Sequence, residues 1–158
     1  MNAVYIKWFF KTYFERGVIL VTVSVVSRRG RFAIVISEDG IEKKSVSETI
    51  KGSNENIYRD LIYAFHVGLR YLKQYVEETG SKKVTFVCSN SIFVRWVNEF
   101  SAKDEYQEEF MKMLGSLNEI PIEYEVVYQK KPLALKYLNE RKSGFCLSGI
   151  DVDAFSEV

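Results

Sequence analysis

The sequence is poor in the residues that most often announce chemistry. It has one histidine, two cysteines and two prolines in 158 residues. Cys88 and Cys146 are far apart, and there is no CxxC or Cys/His cluster, so a zinc site is not expected. A disulfide between them stays open, but such sparse usage suits a reducing, intracellular (cytoplasmic) compartment. Charge of one sign is also lacking. Lys and Arg number 22 against 21 Asp and Glu, a formal net charge of +1. Global basicity therefore does not point to nucleic acid; only a local patch could. Long apolar runs are missing too. The longest, GVILVTVSVV, is too short to cross a bilayer and is rich in β-branched residues, so no membrane span is expected. The opening MNAVYIKWFFKTYFERG mixes charges with rings and has no small-residue cleavage site, unlike a secretory signal.

What is present describes a globular chain. Apolar residues make up 47% and charged residues 27%, enough for one compact domain with a real core and too apolar for disorder. Ten Tyr and eleven Phe imply a core and surface rich in rings; platforms for stacking bases are the sharper alternative.

Along the chain, residues 1–16 fit an amphipathic aromatic helix. Lys7, Lys11 and Glu15 share one face, and Gly17 ends it. A strand is the alternative there. Three strands follow: Val18–Val26, Arg31–Ser37 and Ile41–Ile50, joined by the tight turns SRRG and EDG into an antiparallel meander. The third alternates polar and apolar residues openly, which suits an edge. KGSNEN is a loop with a helix cap expected near Ser53 or Asn54. A long helix is expected over Ile57–Glu78, from Leu61, Ile62, Phe65, Leu69, Leu72 and Val76 at helical spacing. Then come a strand over Lys83–Cys88, a helix from near Ser91, and a third helix within SAKDEYQEEFMKMLGSL. A fifth strand lies within IPIEYEVVY, and a last helix within KKPLALKYLNERK has Pro132 in its first turn. The expected class is α/β with a mixed sheet: a three-strand antiparallel meander plus two parallel strands. Helices should cover both faces, because the first and fourth strands read as apolar on both sides. The expected organisation is an N-terminal aromatic segment (1–17), a domain (18–142) and a C-terminal tail (143–158).

That order resembles the ribonuclease H fold, and short motifs carry the likeness further. The family places a strand before Thr-Asp-Ser and a helix opening on Tyr-Val-Arg. Here Ser89-Asn90-Ser91 and Phe93-Val94-Arg95 fall in those places. Asp60-Leu61 falls on the Glu-Leu of the family's first helix. The likeness spans about residues 18 to 142. It implies several carboxylates around two divalent metals for phosphodiester hydrolysis. Tested position by position, the chain departs from that pattern. The first-strand aspartate should lie in VTVSVVS, where Ser24 or a neighbour takes the slot. Asp60 stands for the helix glutamate, and Asn90 replaces the fourth-strand aspartate. The last-helix aspartate should lie in PLALKYLNE, which has no acid before Glu140. QKKP replaces the family's loop histidine, and the lone His66 lies in the first helix, where a structural or surface role is expected. A hard cation needs charged oxygens, so no metal or other cofactor is expected. A plain reading fits the same tip, because Ser and Asn are good helix caps.

Three functional readings follow. The first is a non-catalytic nucleic-acid-binding or scaffolding module. Arg28, Arg29 and Arg31 at the first hairpin turn, with Lys130 and Lys131 after the fifth strand, would hold the backbone of RNA, DNA or a hybrid. Solvated surface charges are the plain alternative for these residues. The second is a protein-interaction or homodimerisation module using the rings of residues 4–14. The third is a divergent metal-dependent nuclease using Asp60 with Glu38, Asp39 or Glu48, acids that no spacing brings together.

Overall fold

A computed structural model describes residues 19–139. The N-terminal segment, the tail, Glu140 and Cys146 lie outside the described residues. Three antiparallel strands open the domain: β1 (Val21–Arg28), β2 (Arg31–Glu38) and β3 (Ile41–Thr49). The turns between them are two residues long. Arg29-Gly30 and Asp39-Gly40 all take positive φ, at 53°, 74°, 50° and 86°. Consecutive left-handed residues are the hairpin geometry that matches strand twist, and glycine at the second position makes it inexpensive.

The chain then forms α1 (Ile57–Thr79), β4 (Lys83–Cys88), α2 (Ser91–Glu99), a 3₁₀ turn (Asp104–Tyr106), α3 (Gln107–Asn118), β5 (Glu123–Tyr128) and α4 (Leu135–Asn139). The sheet order is β3-β2-β1-β4-β5, with β1, β4 and β5 mutually parallel. Because β2 reverses between them, β3 also runs with β1. The carboxyl ends of β1, β3, β4 and β5 therefore meet at one end of the sheet. The amino ends of α1 and α2 emerge there too. Among the described residues no helix is long and apolar enough to cross a membrane.

The two faces of the sheet are built differently. On one, Val21, Val23, Val25, Phe32, Ile34, Ile36, Val46, Val84, Phe86 and Val126 meet Leu61, Phe65 and Leu72 of α1, Phe93 and Val97 of α2, and Phe110, Met113 and Leu117 of α3. Rings carry much of this core: Phe65 lies 5.0 Å from Phe86 and 5.5 Å from Phe93. On the other face the buried strand residues are small or hydroxylated. They are Ser24, Ser37, Ser45 and Thr85, with Val26, Ala33 and Val35 packed against Ala134, Tyr137 and Leu138. Glu42 of β3 fastens α4 there, accepting from Tyr137 Oη at 2.5 Å and pairing with Lys136 Nζ at 2.7 Å.

The two sheet edges are also unlike. The β2–β3 ladder pairs Ile36 with Lys44 but Ser37 with Glu42, leaving Lys43 over as a bulge. At β5, Asn98 of α2 donates its side-chain amide to the Val126 carbonyl at 3.3 Å.

Several expectations shift. The first strand runs Val21–Arg28 rather than Val18–Val26. Ser24 and Thr85 show that β1 and β4 are not apolar on both sides. The cap of α1 is Asn56, whose Oδ1 accepts from Arg59 N–H at 3.0 Å, and not Ser53 or Asn54. Pro132 precedes α4 in a loop instead of sitting in its first turn.

Candidate nucleic-acid interface

The end where the strand carboxyl termini meet gathers the residues singled out in the sequence. Four connections lie along it: the Arg28–Arg31 turn, the Ile50–Asn56 loop, the Ser89-Asn90 tip and the Gln129–Ala134 loop. Strands lie about 4.8 Å apart, so the β1 turn and the β5 end are roughly 10 Å apart across the sheet. Open sheets tend to take ligands beyond strand carboxyl ends, where helix amino ends also point.

Asn90 caps α2. Its Oδ1 accepts from Phe93 N–H at 2.9 Å, and its extended backbone (φ −116°, ψ 108°) is that of a cap. The cap uses the acceptor oxygen and leaves the amide nitrogen as a donor, which suits an anion better than a cation. Cys88, just before the tip, is buried, and burial pushes its thiol up to about 11, so it is no nucleophile at neutral pH.

Asp60 lies in the first turn of α1, only 5% exposed. Ser53 Oγ donates to Asp60 Oδ2 at 2.7 Å and also accepts from Glu55 N–H at 2.9 Å. The loop thus supplies Asp60 with a partner, and the positive end of the helix dipole favours its charge. Asp60 also borders a cavity of about 350 Å³ lined by Lys51, Ser53, Arg59, His66 and Lys112 among others. His66 holds Ser116 at 2.9 Å across the α1–α3 contact, and burial together with Arg70 lowers its pKa. It lines the same cavity as Asp60.

Ser24 does not join this group. It is buried on the face opposite α1, paired with Val35 and Val87, while Val23 and Val25 point to the helical core. Strand side chains alternate, so the next hydroxyl on the Asp60 face is Ser27, paired with Phe32 and half-buried. The β1–β4 register pairs Val25 with Cys88. That is the last pair of the ladder; carried two residues beyond it, the same register would set Ser27 opposite Asn90. Ser27, Asp60 and Asn90 are thus the trio at the strand ends, and Ser24 belongs to the far face. The sequence held too little signal to choose, because β1 buries residues on both faces and its period of two is blurred.

The cations divide around this trio. Arg28 and Arg31 are cross-strand partners on the Ser24 face; Arg31 donates to Ser47 Oγ at 3.0 Å and Thr49 Oγ1 at 3.4 Å. Arg29 sits exposed at the turn itself, and Lys130 and Lys131 are exposed after β5. Beyond α1 the rim carries both signs, with Lys103 paired to Glu105 and Lys112 to Glu108. Asp104, Glu105, Glu108 and Glu109 are exposed there, and Arg59 is already paired with Glu109 at 3.3 Å.

The chemistry of the trio can be set against a pair of divalent cations. Asp60 brings the one carboxylate, with one oxygen already bonded to Ser53. The Asn90 acceptor is engaged as a cap. Among the described residues no group of three or more His, Cys, Asp or Glu could hold a metal. Two hard cations need several charged oxygens, so these residues do not fit them.

No protein-family model matches the chain, and no curated protein matches its sequence. Solved structures match it in three dimensions. LC11-RNase H1, isolated from compost by a metagenomic approach, is 15% identical with a TM-score of 0.60 over 72% of this chain and 84% of that one. In complex with an RNA/DNA hybrid, LC11-RNase H1 matches over 87% of this chain and 99% of its own, again with 15% identity and a TM-score of 0.60. The N-terminal RNase H domain of a Mycobacterium tuberculosis protein is 11% identical, with a TM-score of 0.56 over 77% of this chain and 94% of that one. At such identities the likeness is one of fold. The chain has the ribonuclease H-like fold that its strand order and Ser89-Asn90-Ser91 tip implied.

Proposed function

We propose that this domain binds a nucleic-acid backbone at the carboxyl end of its strands and does not hydrolyse it. The observation that carries the reading is the state of Asn90. A neutral side chain spent on capping α2 stands where the fold's relatives, by sequence resemblance, place a metal-holding aspartate. With Ser27 the last residue of β1 on the helical face, the floor carries one carboxylate, Asp60, and so little negative charge to repel phosphate. Arg29, Lys130 and Lys131 are exposed at the ends of that floor, and Arg28 and Arg31 stand at the same hairpin turn on the opposite face of the sheet; together the five supply the attraction. Since LC11-RNase H1 takes an RNA/DNA hybrid, a hybrid belongs among the first probes.

The test is a binding series with RNA, DNA, duplex and hybrid across increasing salt. Binding should be micromolar and should weaken as salt rises, with a slope of about −0.7 to −0.9 per phosphate contacted. Arg28→Ala/Arg29→Ala should weaken it and flatten the slope. Failure to bind any nucleic acid would defeat the proposal. So would robust cleavage with Mg²⁺ or Mn²⁺ that disappears in Asp60→Asn, which would make the domain a divergent nuclease.

A further inference from the structure

We infer that the strand-end site takes a single strand in preference to a duplex or hybrid, with Tyr128 as the platform on which a base stacks. The inference rests on the backbone-binding reading above and adds a substrate class to it. Tyr128 is the last residue of β5 and pairs in register with Cys88. Cys88 is buried on the helical face, so the Tyr128 ring leaves the sheet on that same face, one step beyond the core and beside the Ser89-Asn90 tip. It is 47% exposed. Other large rings on this side are engaged: Tyr58 lies 4.9 Å from Trp96, and Tyr63 packs edge-on against Phe32 at 5.9 Å. Tyr128 has no ring or hydrogen-bond partner among the described residues.

Lys130 and Lys131 follow within three residues of the ring, both exposed. An aromatic face beside cations that track phosphates is the arrangement by which proteins hold unpaired strands, and stacking serves any base. A base inside a duplex has both faces covered, so the ring reaches it only if the duplex opens.

The surrounding charge favours the thinner ligand. The whole strand-end row, from β3 to β5, is four strand spacings wide, roughly 19 Å. On the side of α1 and α3 it meets a rim of paired charges, Arg59 with Glu109, Lys103 with Glu105 and Lys112 with Glu108, to which Asp104 adds a small negative excess. A duplex lying there would carry its second phosphate strand over a rim whose cations Arg59, Lys103 and Lys112 are already paired with Glu109, Glu105 and Glu108. A single strand can run from the Arg28–Arg31 turn past Asn90 to Lys130 without crossing that rim.

The experiment measures fluorescence anisotropy of one labelled sequence as single-stranded RNA, single-stranded DNA, hybrid and duplex, at fixed salt, with wild type, Tyr128→Ala, Tyr128→Leu and Tyr128→Phe. The single strands should bind about tenfold tighter than the hybrid. Tyr128→Ala and Tyr128→Leu should each weaken single-strand binding about tenfold, while Tyr128→Phe, which keeps the ring, retains it. The salt slope should not change, because no phosphate contact is lost. Equal or tighter binding of the hybrid overturns the inference. So does unchanged single-strand affinity in both the Ala and Leu variants while Arg28→Ala/Arg29→Ala still weakens binding; that pattern leaves the backbone reading standing. Absence of all binding removes both.

Discussion

The two faces of the sheet solve the same burial problem with different chemistry. The face under α1, α2 and α3 is filled with large apolar groups, and Phe32, Phe65, Phe86, Phe93 and Phe110 are all less than 2% exposed. The other face buries Ser24, Ser37, Ser45 and Thr85 beside small aliphatic groups, and α4 is fastened over it through a polar contact to Glu42. The contrast shows what each side of a strand can tolerate. A face closed by long helices gains from volume. On the other face, small side chains and the bonds of Glu42 to Lys136 and Tyr137 hold the described part of α4 in place. Ser27 and Asp60 belong to the first face, next to its packed rings.

Substitutions can break this contrast. The largest effect is expected from Phe86→Ala, which leaves a void among rings and should cost about 3–5 kcal/mol in chemical denaturation. Next come carboxylates placed on either side of β1. Ser24→Asp buries a charge without a partner and should cost about 3 kcal/mol or more. Ser27→Asp with Asn90→Asp should cost far less, because Asp is also a good cap. Joined to Asp60, that pair should give the domain calorimetrically measurable Mn²⁺ binding, and Ser24→Asp with Asn90→Asp should not. Metal binding by the Ser24 pair would refute the assignment of faces.

Smaller effects separate the helix end from the α4 cover. Asn90→Ala removes the cap of α2 and should cost about 1 kcal/mol, read from the denaturation midpoint. Tyr137→Phe, which leaves the apolar packing and deletes the bond to Glu42, should cost about 1 kcal/mol or less. The smallest is a pH effect. His66 has a pKa lowered from 6.5 by burial and by Arg70. Its contribution is therefore complete above 6.5 and fades as pH falls through the lowered value, because the unfolded chain binds the proton first. His66→Gln should flatten the melting temperature between about pH 7 and pH 5 relative to wild type.

Much of this fold was legible in the sequence because most elements carry one clear signal. The Leu61–Phe65–Leu69–Leu72–Val76 spacing places α1, and KVTFVC between polar residues is β4 as read. The cap at Asn90 followed from local preference alone. What could not be read depended on partners distant in sequence. Ser53, Asn54 and Asn56 can all cap a helix, and the choice fell to Asn56 while Ser53 was taken by Asp60. Ser24 and Ser27 lie in one run of β-branched residues, and only the pairing with β2 and β4 settles which side each takes. Tyr128 gave no signal as a site residue, since one ring at a strand end looks like any other until its neighbours are in place.

One detail at the rim of the sheet has a consequence for how copies of this chain behave in a crowded solution. Among the described residues β3 is an outer strand, and an outer strand is a template on which another chain can lay its own backbone. The extra residue at Lys43 breaks the regular spacing of that template, and Lys43 and Lys44 place two like charges along it. A second copy approaching in register would meet charge repulsion and mismatched hydrogen bonds. A bulge and charged side chains are among the features by which edge strands discourage such pairing, and β3 carries both.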